Sequence, residues 1–85
     1  MEVYLIETWI EEVVTHYKIW SETPMIFTSK NKARKFVKDY MKVEKDLYDY
    51  NFVLIKVTDY YRMYAYETSE GVKHVIKLST KRTMN

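Results

Sequence analysis

Two histidines, His16 and His74, are the only side chains in this sequence whose ordinary pKa lies near neutrality, and no cysteine accompanies them. Covalent catalysis needs a nucleophile, a base and an orienting group converging on one point. The chain carries no nucleophile elbow, phosphate loop or paired metal-ligand spacing. Glu11 and Glu12 are adjacent, and neighbours on a strand point to opposite faces, so they read as solvated turn acids. His74 shares a strand face with Val72, Ile76 and Leu78 and reads as a half-buried histidine with a hydrogen-bond partner. No catalytic residue, metal or cofactor is therefore expected, and the chain reads as a non-enzyme. A cleft uniting either histidine with two carboxylates would argue the other way.

Binding chemistry is better represented. Arg34, Lys35, Lys38, Lys42 and Lys45 fall within an arc of about 100° on a helix, largely opposite Phe36 and Tyr40. Arg34, Lys38 and Lys42 stand four apart, so like charges repel along one face. Lys30, Lys32, Arg34 and Lys35 crowd the start of that helix, where the macrodipole favours acids. Each such placement costs on the order of a few tenths of a kcal/mol. An acidic partner would offset this cost, either a nucleic-acid backbone or a carboxylate-rich protein. A solvated basic face, relieved by Asp39, Glu44 and Asp46, is the plainer explanation.

Nine tyrosines form the second signal. Alternation from Tyr60 to Tyr66 places Tyr60, Arg62, Tyr64 and Tyr66 on one strand face and Tyr61, Met63 and Ala65 on the other. The second set reads as core. The first is large, amphipathic and includes an arginine, a composition typical of protein interfaces and also suited to stacking bases. Cross-strand aromatic pairing within a sheet would account for it equally. Tyr48 and Tyr50, in the connection that follows the helix, extend either reading.

These side chains must be positioned by one small domain spanning residues 1–85. One glycine and one proline leave few sharp turns, so most of the chain belongs to long regular elements. Residues 3–10 and 13–20 are rich in β-branched and aromatic residues and read as two strands joined at Glu11–Glu12. Leu5, Ile6, Trp9, Ile10, Val13, Val14 and Tyr17 also fit helical spacing, and the β-branched content favours strands. Met25 to Phe27 forms a short extended piece after Pro24. Thr28 or Ser29 caps a helix running from about residue 30 to 47, with its apolar stripe at Ala33, Phe36, Val37, Tyr40 and Met41.

Residues 52–58 read as a buried strand, 60–68 as a strand, Glu70–Gly71 as a hairpin turn and 72–79 as a closing strand. Residues 80–85 read as a flexible tail. The predicted class is α+β: one amphipathic helix on a mostly antiparallel sheet of four to five strands, in the order β-β-α-β-β-β. Some strand must form an exposed edge, and such an edge can add to a partner's sheet.

The strongest apolar runs, Val3–Ile6 and Phe52–Ile55, fall far short of the ~20 residues of a membrane span. The missing cysteines suit a reducing compartment, so a cytoplasmic location is expected.

Val3-Tyr4-Leu5-Ile6-Glu7, then Phe27-Thr28-Ser29, then Ala33, Phe36 and Val37 resemble a pattern of small accessory proteins of bacteriophages and mobile elements. The resemblance covers roughly the first half of the chain. It implies a strand–strand–helix unit in the host cytoplasm and, by analogy, an inhibitor that binds a host enzyme, polymerase or defence complex. It carries no functional residue across, and from Tyr48 onward it has no counterpart. The sequence thus predicts a protein-binding module that contacts its partner through Tyr60, Arg62, Tyr64, Tyr66 and the basic helix face. A nucleic-acid-binding module using that helix is the alternative, and self-association remains open.

Overall fold

A computed structural model of the chain describes residues 1–83. The elements are β1 (Glu2–Glu12), β2 (Lys18–Ser21), β3 (Met25–Phe27), α1 (Lys30–Tyr48), β4 (Val53–Val57), β5 (Tyr61–Glu67) and β6 (Val72–Arg82). All strand pairs are antiparallel, in the order β2-β1-β6-β5-β4. β3 lies against the same edge of β1 as β2, alongside Tyr4–Ile6 where β2 lies alongside Trp9–Glu11. Pro24 separates the two short strands; it lacks the N–H that a continuous ladder would need. This is the predicted α+β arrangement of one helix on an antiparallel sheet, with the extended piece at Met25–Phe27 promoted to a strand.

Several boundaries move for identifiable reasons. Glu11 and Glu12 are not the turn. They pair with Lys73 and Val72, because β1 lies at the sheet centre and matches the full length of β6. The reversal falls at residues 13–17, where His16 N–H donates to Glu12 O at 2.8 Å and Glu12 N–H to Tyr17 O at 2.9 Å. That reversal lacks glycine, so His16 itself takes the left-handed conformation at φ 60°. The helical alternative for residues 5–17 is not adopted. Residues 80–82 are not a tail, since Glu2 pairs with Arg82 and Thr83 N–H donates to Met1 O at 2.8 Å. Residues 84 and 85 lie outside the described residues.

The helix forms where its stripe and caps predict. Ser29 Oγ accepts from Lys32 N–H at 3.3 Å. At the other end Asp49 turns left-handed at φ 59°, and its N–H donates to Lys45 O at 2.9 Å. Ala33 and Val37 then bury against Ile6, Ile76 and Leu78, with Tyr4, Phe27, Phe36, Tyr40, Met41, Phe52 and Tyr64 around them. A smaller cluster of Trp9, Ala65 and Val75, with Met63 beside it, occupies the face away from the helix.

β4 is not the buried strand its apolar content suggests. It is the last strand of the sheet, and Val53, Leu54, Ile55 and Val57 are 46–59% exposed. No helix among the described residues is long and apolar enough to cross a membrane.

Candidate functional site

The predicted aromatic face of β5 exists, but the helix covers part of it. Arg62, Tyr64 and Tyr66 pair with Leu78, Ile76 and His74, which places all three on the side where α1 lies. Tyr64 is half-buried, packing against the main core while lining the groove beside α1. Tyr66 is half-buried and stacks on Tyr50, with ring centroids 4.7 Å apart. Arg62 is exposed.

Tyr60 lies outside the strand, at the tip of the two-residue turn Asp59–Tyr60, and is 73% exposed. That turn is held by Thr58 Oγ1, which accepts from the N–H groups of Tyr60 and Tyr61 at 3.1 Å each. The opposite set, expected to be core, is divided as well. Ala65 is buried and Met63 half-buried, while the Tyr61 ring lies beneath the Lys77 ammonium at 4.5 Å and the Lys56 ammonium at 5.8 Å.

The five helix cations, Arg34, Lys35, Lys38, Lys42 and Lys45, are all exposed. Lys35 pairs with Asp39 at 2.6 Å, and Lys45 sits in the last turn, where the macrodipole favours it. No acid occupies the first turn. Arg34 and Lys38 meet Arg62 and Tyr64 around a groove of about 230 Å³ between α1 and β5. Among the described residues none of these three cations makes an ion pair. The structure thus brings four of the nine predicted residues, Arg34, Lys38, Arg62 and Tyr64, around one basic groove. Tyr60 flanks its extension near Lys30. Lys35, Lys42, Lys45 and Tyr66 lie outside it.

Two surfaces escape sequence reasoning. The first is the β4 edge. Ile55 bulges out of register between Leu54 and Lys56, and Val53 and Ile55 line a groove of about 370 Å³ with Ala65 on the helix-free side. The second is a cleft of about 410 Å³ between the C-terminal half of α1 and the sheet. Ile10, Trp20 and His74 contribute from the strands, and Tyr40, Glu44 and Tyr48 from the helix. Tyr50 closes one end, its ring 5.4 Å from Tyr48 and 4.7 Å from the His74 imidazole.

Burial lowers the His74 pKa, with the nearby Glu44 charge opposing, so the ring is neutral at pH 7. Burial raises the Tyr40 hydroxyl, reinforced by the carboxylates of Glu44 and Glu22. His16 lies elsewhere, in the β1–β2 turn 3.0 Å from Glu11 Oε2. His74 shares its cleft with the lining carboxylate of Glu44.

Comparison with known protein families, characterised proteins and solved structures finds no match to this chain.

Proposed function

We propose that the chain is a non-enzymatic protein-binding module that adds its β4 edge to a strand of its partner. The observation that carries this reading is the exposure of all five residues of β4, four of them Val, Leu, Ile and Val, along an unpaired sheet edge. Soluble proteins generally avoid such edges because free N–H and C=O groups beside apolar side chains invite pairing. Lys56 and the Ile55 bulge blunt the edge without covering it. The adjoining groove at Val53, Ile55 and Ala65 offers a place for alternate side chains of an incoming strand, while the backbone supplies hydrogen bonds. The resemblance of the N-terminal half to phage accessory proteins makes a host or defence protein the first partner to test.

The test is affinity purification from a bacterial lysate, followed by titration of the recovered partner. The double variant Leu54→Lys, Val57→Lys should bind at least about thirtyfold more weakly, the effect of losing roughly 2 kcal/mol at a hot spot. Its circular dichroism should match the parent, because both positions are exposed. Undiminished binding by a folded variant would remove β4 from the interface.

The basic groove supports a second reading, a nucleic-acid-binding module. Among the described residues Arg34, Lys38 and Arg62 make no ion pair, and they surround one groove with a tyrosine in its wall. If phosphates occupy it, log affinity falls linearly with log salt, and Arg34→Gln with Arg62→Gln flattens that slope by about two. A gel-shift series across salt concentrations measures this. An unchanged slope, or no shift at low salt, would end this reading.

A further inference from the structure

The two flanks of α1 differ in sign. Arg34 and Lys38 face the groove beside β5, whereas Glu44 is the only formally charged residue lining the cleft under the helix's C-terminal half. Glu44 makes no ion pair among the described residues. A second carboxylate, Glu22, is held close to this region, accepting from Thr8 Oγ1 at 3.0 Å and acting on the Tyr40 hydroxyl. The last carbonyls of the helix add partial negative charge at the same end. On a chain of net charge +2, this cleft is a local negative site.

Its walls are aromatic. Trp20, 48% exposed, and Tyr48, 60% exposed, line it together with the half-buried Tyr40 and Tyr50, the last already packed on Tyr66 and His74. Ring faces carry negative electrostatic potential and attract cations, most strongly where water is excluded. Ring and aliphatic surface makes up most of the lining and Glu44 is its one carboxylate, so a bare ammonium would recover only part of its hydration there. An alkylated ammonium has less hydration to lose, and its methyl groups match the rings. His74 brings no competing positive charge at neutral pH.

We propose that the cleft formed by Trp20, Tyr40, Tyr48 and Tyr50 around Glu44 binds an alkylated ammonium group. This site is distinct from the β4 edge and stands or falls independently of it. The same chemistry can arrive as a small quaternary amine or as a methylated lysine side chain, and the experiment separates the two.

Tetramethylammonium, a trimethyllysine peptide and the neutral peptide with a 3,3-dimethylbutyl terminus are titrated into the whole chain, followed by NMR. Resonances of Trp20 and Tyr48 should move with the cations. The neutral isostere should bind at least about tenfold more weakly, corresponding to roughly 1.4 kcal/mol of cation–π and charge attraction. Glu44→Gln and Tyr48→Ala should each weaken cation binding severalfold, while Lys35→Gln on the outer helix face should not. A peptide preference over tetramethylammonium would identify a protein side chain as the ligand, and equal affinity a small amine. Equal binding of cation and isostere, or no movement of either resonance at millimolar ligand, would overturn the proposal.

Discussion

Ile76→Ala is expected to remove a large part of the stability of this protein. Ile76 is completely buried in β6, with Thr8 opposite on β1 and Tyr64 opposite on β5. Above it lie Ala33 and Val37 of the helix. Truncation to alanine loses transfer free energy and leaves a cavity between two rigid layers, a loss of about 2–5 kcal/mol. A chain of this length holds on the order of 4–13 kcal/mol at roughly 0.05–0.15 kcal/mol per residue. With a urea slope of roughly 1 kcal/mol per molar, the midpoint should fall by about 2 M or more. Ile76→Val should cost only about 0.5–1.5 kcal/mol, separating cavity formation from a general intolerance of substitution. A change below ~1 kcal/mol in the alanine variant would contradict the placement of the core.

The second large effect is expected at Trp9, on the opposite side of the sheet. Among the described residues no helix covers that face, yet Trp9 is only 9% exposed because its neighbours enclose it. Ala65 and Val75 lie against it, the Lys18 ammonium stands 4.5 Å above the ring, and Nε1–H donates to Glu11 Oε1 at 2.7 Å. Trp9→Ala should cost about 3–5 kcal/mol, comparable to losing a core residue beneath the helix.

The same contact has a signature in acid. The Trp9 indole is the leading cause of a lowered Glu11 pKa, ahead of the His16 hydrogen bond. A carboxyl held below its unfolded value of 4.5 contributes stability that is fully present above that pH and is lost as pH falls through the folded pKa. Trp9→Phe removes the donor and keeps most of the apolar surface. Its stability deficit relative to the parent should therefore be smaller at pH 3 than at pH 6. Urea titrations at the two pH values measure this, and an equal deficit would show that the indole bond does not set the Glu11 titration.

The features legible in the sequence are those set by neighbours along the chain. The α1 stripe and the Ser29 cap are local, and so is the alternation that puts Val72, His74, Ile76 and Leu78 on one face. Strand order is not local. Val53–Val57 looks like a buried strand because composition cannot distinguish an edge from a centre. Alternation groups Tyr60, Arg62, Tyr64 and Tyr66, yet Tyr60 falls in the turn before β5, and whether the face of the other three receives the helix depends on pairing with β6.

The aromatic cleft was invisible for the same reason, since Ile10, Trp20, Tyr48 and His74 come from separate parts of the chain. One local clue did exist. Glu44 follows Tyr40 by four residues and Val37 by seven, so it puts a carboxylate on the helix's inward stripe.

The pairing of β1 with β6 has a kinetic consequence. The two central strands are the first and last in chain order, with Glu2 opposite Arg82. Until β6 has been synthesised, Ile6 has no sheet neighbour on that side and the helix has only half a floor to rest on. Assembly should therefore follow translation of the last strand, and its rate should be governed by the entropy of closing so long a loop. A nascent chain that lacks β6 would expose β1 and β5 as open edges, the interval in which a chaperone or misassembly with a second copy would compete with folding.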